Sequence, residues 1–344
     1  MNKSDKIIVG ISIGDLNGIG LEVVLKTFQD KRMLDFCTPV IFGSTKVVTF
    51  HKKTLQSDTP VHGITSIEQV NHNKVNVLNI WKEEVSIEFG KATKESGEYA
   101  AKSLEAATVH LKEKKIDVLL TAPINKETIQ SENFNFPGHT EYLEDKLEGK
   151  SLMILMTDAL RIGLITGHIP ISNVAETITP ALIKEKVGTM YASLVQDFGI
   201  NKPKIAVLSL NPHCGDNGVI GFEDDEIIKP TIDEIKESGK LVFGPYAADG
   251  FFGSETYKQF DGVLATYHDQ GLAPFKALSF GSGVNYTAGL SEVRTSPDHG
   301  TGFDIAGKNL ANASSFKEAL FSGIQIFQTR KEYKELTKSP LLVK

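Results

Sequence analysis

The 344-residue sequence has little cysteine, Cys37 and Cys214 alone. Two thiols cannot build a disulfide scaffold or a cysteine-based zinc module. It also lacks any excess of positive charge: 37 Lys and Arg stand against 43 Asp and Glu, a net charge of −6. That balance argues against a protein that coats nucleic acid. No apolar run approaches the ~18 residues of a membrane span. No internal repeat, low-complexity tract or Pro/Gly/Ser linker divides the chain. The opening stretch MNKSDKIIVGISIGD has one short apolar run and no small-residue cleavage site behind it. It reads as a strand, not a secretory signal. The expectation is a soluble, cytoplasmic protein with neither nucleic acid nor membrane as a partner.

What remains is ordinary globular material, 40% hydrophobic and 23% charged. At roughly 150 residues per domain the length suggests two domains. Continuous apolar runs read as buried strands at Ile7–Ile13, Pro39–Phe42, Val75–Ile80, Ile116–Thr121, Leu152–Met156, Ile162–Thr166, Ile205–Leu210 and Val263–Thr266. They are continuous rather than alternating, which suits a sheet covered on both faces. Helical patterns lie between them. Gly97–Lys115 puts Ala100, Leu104, Ala107 and Leu111 on one face, Leu182 to Phe198 makes a second stripe, and Phe316–Leu336 a third helical region. Strands alternating with helices predict an α/β fold.

Five of the nine histidines sit in Gly/Pro/Asp-rich turns: PGHT at His139, TGHIP at His168, NPHCGDNG at His213, YHDQG at His268 and PDHGTG at His299. In α/β folds such loops collect at the carboxyl ends of strands, where ligands bind. His168, His213 and His268 each follow a strand and are placed to converge on one divalent cation with positions open for substrate. Their separations of 45 and 55 residues are not a local metal motif, so turn-capping histidines are the alternative. Asp269 and Asp216 are the neighbouring carboxylates available to orient imidazoles. His139 and Thr140 precede an apparent helix start, a potential anion site, with Thr140 as a plain N-cap the other reading. Lys276, Asn285 and Arg294 follow His268 in a stretch rich in glycine and small residues. The two cations suit phosphate or carboxylate, or are solvated surface charges. Gly14–Gly20, GDLNGIG, has the wrong glycine spacing for a Rossmann fingerprint. Gly302–Lys308, GFDIAGK, begins like a P-loop, but Asn309 follows Lys308 and no buried strand is read before it, so a P-loop is rejected.

Taken together, GDLNGIGLE, TAPINKE, PGHTEYL, GHIPISNV, NPHCGDNG, ATYHDQGLAPFK and SPDHGTGFDIAGK resemble the 4-hydroxythreonine-4-phosphate dehydrogenase family, in order and over nearly the whole chain. The last motif is also similar to the adenine-binding loop of isocitrate and isopropylmalate dehydrogenases. The resemblance implies two α/β/α domains with a cleft between them, isocitrate/isopropylmalate dehydrogenase-like. Residues 1–135 with 295–344 would form an outer domain bearing the nucleotide loop. Residues 136–294 would form an inner one bearing metal and substrate residues and dimer contacts.

The resemblance further implies oxidation of 4-phosphooxy-L-threonine at C3 by NAD (or NADP), then decarboxylation to 3-amino-2-oxopropyl phosphate, in pyridoxal phosphate biosynthesis. His168, His213 and His268 match metal ligands (zinc, magnesium or cobalt) shared between the subunits of a homodimer. His139, Thr140, Lys276, Asn285 and Arg294 match substrate contacts, with Lys276 and Asp269 as catalytic candidates. Asp298, His299, Gly300, Asp304 and Gly307 match the nucleotide loop. Cys214 and Asp216 stand where the family usually has Ala and Glu, and Leu16-Asn17 where Pro-Ala or Pro-Asn is commoner. Two alternatives therefore stay open: a dehydrogenase of erythronate or threonate 4-phosphate, and a metal-dependent hydrolase using the histidines and Asp269 to activate water.

Overall fold

Continuous β-branched runs need cover on both faces. The computed structural model, which describes residues 6–132, 134–279 and 281–338, provides that cover. Among the described residues there are twelve strands: β1 (Ile8–Ser12), β2 (Thr38–Gly43), β3 (Val61–Ile64), β4 (Val75–Asn79), β5 (Val118–Thr121), β6 (Gly149–Met156), β7 (Arg161–Leu164), β8 (Lys204–Leu208), β9 (Leu241–Tyr246), β10 (Gly262–Ala265), β11 (Val284–Leu290) and β12 (Val293–Pro297). The chain falls into two compact units, one within Met1–Glu148 and Ser291–Gln325, the other within Gly149–Leu290 and Ile326–Lys344. The expected α/β class holds in both. No helix among the described residues is long and apolar enough to cross a membrane.

In the first unit the strand order is β3-β4-β2-β1-β5-β12, every pairing parallel. β2, β5 and β12 are buried at every position. The Lys94–Lys112 helix starts where the Thr93 side chain accepts from the Ser96 amide, and it buries Ala100, Leu104, Ala107 and Leu111 as the periodicity predicts. Each fully buried leucine is worth about 1.5–3 kcal/mol. Gly14 (φ +67°) turns the chain sharply after β1, because a Cβ there would lie 2.3 Å from the Pro123 carbonyl oxygen. The turn ends in the Gly20–Phe28 helix.

The second unit has the order β11-β6-β7-β10-β8-β9. β11 and β6 run antiparallel, as do β6 and β7, while β7, β10, β8 and β9 are parallel neighbours. Ile162, Leu164, Ala206, Leu208, Val263 and Phe275 form its core. The Pro180–Gln196 helix, capped by Thr179, buries Ile183, Val187, Met190 and Leu194 where it packs on β11, β6 and β10. A buried polar knot holds the Ser314–Thr337 helix here. Arg330 Nε donates to Asp197 Oδ1 (2.6 Å), Arg330 Nη1 to the Leu290 carbonyl (3.1 Å), and the Tyr286 and Ser193 hydroxyls to Asp197 Oδ2 (2.6 and 2.8 Å).

The division departs from the expected boundaries in three places, one of them Ser291–Arg294, expected in the inner domain and found in the first unit. Residues 136–148 belong to the first unit, where Tyr142 stacks on Phe134 with ring centroids 5.1 Å apart. Residues 326–338 belong to the second, through Arg330. Residues 1–5 and 339–344 of the expected outer domain lie outside the described residues. Four strands escaped the sequence reading: β3, β9, β11 and β12.

His51 is wholly enclosed against Phe89, ring centroids 4.9 Å apart. Burial, partly offset by the Leu16 carbonyl, pushes its pKa down to about 4. Below about pH 6.5 the unfolded chain therefore takes up a proton that the native ring refuses. Stability should be full above that pH and fall as the pH drops toward 4, by up to about 1.4 kcal/mol per pH unit. His51→Leu should make an acid titration followed by circular dichroism measurably shallower. An unchanged slope would remove His51 from the acid response.

Candidate active site

β7, β10 and β8 are adjacent and parallel, so their carboxyl ends share one edge of the second unit. His168 follows β7, His268 follows β10 and opens the His268–Ser279 helix, and His213 follows β8. The His168 and His268 rings lie 5.2 Å apart between centroids. Both line a cavity of about 280 Å³ with Gly167, Ile169, Ile171, Val174, Tyr267 and Asp269. His268 Nδ1 is 2.7 Å from Asp269 Oδ1. That bond commits Nδ1 to the carboxylate and leaves Nε2 for a ligand, the usual way a metal-binding imidazole is oriented. The donor set thus suits a divalent cation at His168 and His268.

His213 is not among the residues lining that cavity. It is exposed, in a left-handed conformation (φ +53°), on the loop before Gly215. Among the described residues no three His, Cys, Asp or Glu side chains are gathered to hold a metal. The convergence of three imidazoles expected from the sequence is therefore seen for two. The His213 loop is anchored by Asp224, whose carboxylate accepts from the Leu210 and Asn211 amides (2.8 and 2.9 Å). Asp216, the carboxylate expected there, is exposed. Asp224 was missed because it sits in the run Glu223-Asp224-Asp225-Glu226, which looks like a solvated face. Lys276 is exposed on the helix that His268 opens, about 12 Å further along its axis. It lies outside the cavity lining. Asn285, on β11, has a buried Oδ1 without a hydrogen-bond partner.

The first unit brings His139, Thr140 and Arg294 together with two residues the sequence did not single out, Thr121 and Glu141. Arg294 is 1% exposed, on β12 and not at a surface turn. Its Nε and Nη2 donate to Thr121 Oγ1 at 3.1 and 2.6 Å. Burial lowers its pKa to about 9, against the pull of the Glu141 carboxylate. His139 opens the His139–Lys146 helix, whose N-cap is Gly138, so Thr140 is not the cap. Burial first, then the Arg294 and Lys126 charges, hold the His139 pKa well below the usual histidine range. Its Nε2 is buried without a hydrogen-bond partner. A neutral imidazole, a helix start and an enclosed guanidinium offset by the Glu141 carboxylate are the groups gathered here, a chemistry compatible with a phosphate or carboxylate.

The segment from Asp298 to Gly307 also belongs to the first unit. The Ser315 hydroxyl donates to Asp298 Oδ1 (3.2 Å), His299 Nδ1 lies 3.0 Å from the Gly300 carbonyl, and the Ile19 amide donates to the Thr301 carbonyl (2.9 Å). Gly307 (φ +73°) rests on Phe89, where a Cβ would come within 2.7 Å of the ring. Gly300 and Asp304 are exposed. A fully buried strand, β12, does precede this segment, contrary to the sequence reading. Residues 303–309 nonetheless form turns, and the next helix begins only at Ser314. A P-loop would open a helix directly, so its rejection stands.

A parallel α/β unit with an enclosed guanidinium, and a second with imidazoles at adjacent strand ends, define an enzyme-like α/β protein. The comparisons place it more narrowly. The family model described as pyridoxal phosphate biosynthetic protein PdxA matches residues 35–322, and the chain belongs to that family. It is 52% identical over 341 residues, 98% of this chain and 94% of the relative, to a 4-hydroxythreonine-4-phosphate dehydrogenase of Bacteroides thetaiotaomicron. It is 35% identical over 328 residues, 94% of this chain and 98% of the relative, to a D-threonate 4-phosphate dehydrogenase of Cupriavidus necator. The crystal structure of a 4-hydroxythreonine-4-phosphate dehydrogenase from Klebsiella pneumoniae aligns with TM-score 0.81 at 30% identity, covering 95% of this chain and all of that one.

Proposed function

We propose that this chain is an NAD(P)- and divalent-cation-dependent dehydrogenase. It oxidises 4-hydroxythreonine 4-phosphate at C3, and the resulting β-keto acid loses CO₂ to give 3-amino-2-oxopropyl phosphate. The observation that carries the reading is the enclosed Arg294 guanidinium beside a neutral His139. A buried cation is costly; Glu141 and Thr121 offset part of that cost in the protein, and an anionic substrate would add to that offset. Membership of the PdxA family and the 52% identical relative support the choice of substrate.

In this reading Arg294, His139 and Thr140 receive the phosphate or carboxylate, with Asn285 and Lys276 as further substrate contacts. His168, His213 and His268 hold the cation in a site shared between the subunits of a homodimer, and Asp269 fixes the His268 tautomer. Bound there, the cation would polarise the C3 alcohol and then the ketone, while the nicotinamide would take the hydride. Asp298, His299, Gly300, Asp304 and Gly307 supply the nucleotide loop. Two imidazoles suit zinc or cobalt, and magnesium is the third candidate. The D-threonate 4-phosphate relative favours one second reading, since that substrate has a hydroxyl where the amino acid has its amine.

Purified chain given NAD⁺ and 4-hydroxythreonine 4-phosphate should form NADH. A chelator should reduce the rate at least ~10²-fold, and added cobalt or zinc should restore it. Full turnover after chelation would remove the cation from the proposal. No NADH from either phosphorylated acid would remove the dehydrogenase.

A further inference from the structure

The strand ends that carry the three histidines are laced together by a side chain with no role so far. Gln270 lies in the first turn of the His268–Ser279 helix, two residues beyond His268. Its Oε1 accepts from the Thr266 amide (2.8 Å) and lies 2.9 Å from the Thr266 hydroxyl, at the end of β10. Its Nε2 donates to the Ser209 carbonyl (2.6 Å), at the end of β8 and four residues before His213. The lacing continues on the other side, where the Thr166 hydroxyl, two residues before His168, donates to the Thr266 carbonyl (2.7 Å). All of these residues belong to the second unit.

The chemistry of the bridge is specific to a carboxamide. One arm meets an amide that can only donate, the other a carbonyl that can only accept. Glutamate would set an anionic oxygen against the Ser209 carbonyl. A thioether of the same length would make neither bond.

We infer that Gln270 is a positioning residue that fixes the end of β10, and with it His268, against the end of β8, and through it the affinity of the histidine site for a divalent cation. The inference rests on the metal reading above. Groups that orient metal ligands typically change affinity about 10–100-fold when removed. The test is titration of metal-free full-length protein with Co²⁺, followed by visible absorption and calorimetry, in wild type, Gln270→Glu and Gln270→Met. Thermal melts of the metal-free proteins run alongside.

The expected result is saturable Co²⁺ binding in wild type. Both variants should bind at least ~10-fold more weakly, with an altered ligand-field spectrum. If Gln270→Glu does not fold, Gln270→Met carries the test alone. Variants that bind Co²⁺ within about threefold of wild type, whatever their melting temperature, would overturn the positioning role and leave the metal reading intact. A wild-type protein that binds no Co²⁺ would overturn both.

Discussion

Replacing Arg294 by lysine is expected to cost at least ~10²-fold in kcat/KM for the phosphorylated substrate, about 3 kcal/mol of transition-state stabilisation. KM should carry most of the loss, and KM for the nucleotide should stay within a few fold. The charge count is unchanged by the substitution, so the loss measures geometry. Arginine keeps a planar fork of donors, of which Nε and Nη2 are aimed at Thr121 Oγ1. Lysine offers a point charge on a flexible stem and is neutralised more easily when buried.

The pH profile separates the two proteins further. Burial pushes the Arg294 pKa down to about 9, so anion binding by wild type should persist to that range and weaken above it. A buried lysine starts from a lower intrinsic pKa, and the same burial lowers it further. The variant should lose substrate affinity at a lower pH, as the ammonium deprotonates. Steady-state kinetics from pH 6.5 to 9.5 reads both effects. An unchanged KM in the variant would move the anion site elsewhere.

The second large effect is on stability. Asp197→Ala should destabilise the second unit by about 3–5 kcal/mol, because it leaves the Arg330 guanidinium buried without its anion. Asp197 accepts from Arg330, Tyr286 and Ser193, and Tyr286 OH also accepts from Arg330 Nη2 (2.7 Å). The exposed Lys184–Glu234 pair gives the contrast. Glu234→Ala should change stability by no more than about 1 kcal/mol. Urea unfolding followed by circular dichroism compares the two. A loss below about 1 kcal/mol for Asp197→Ala would mean that apolar packing holds the end of the last helix to this unit.

The elements legible in the sequence were those whose burial is apolar. β1, β2, β5, β8 and β10 each carry a short continuous apolar run, and that run is enough to find them. β12 was not legible, because Arg294, Thr295 and Ser296 look like a polar turn. The Thr295 hydroxyl is satisfied by the Ala319 carbonyl at 2.7 Å, a partner supplied only by the tertiary fold. Arg294 consequently carried two readings in the sequence, and the structure selects the enclosed one.

The histidine turns were legible as a class, since Gly, Pro and Asp mark loops after strands. Their individual geometry was not. His168 and His268 meet because β7 and β10 are neighbours, and no sequence separation encodes that. His213 lies outside their cavity on a loop in which His213, Cys214 and Asp216 all take left-handed conformations, which no residue type there announces. Asp224 and Gln270 act through backbone groups whose positions only the fold supplies.

The central claim is that the chain acts on a phosphorylated amino acid. The most direct test compares kcat/KM for 4-hydroxythreonine 4-phosphate with that for D-threonate 4-phosphate, by NADH formation with the metal site loaded. The account predicts a preference for the amino acid of at least ~10-fold, about 1.4 kcal/mol between amine and hydroxyl. Equal rates or a preference for D-threonate 4-phosphate would contradict it.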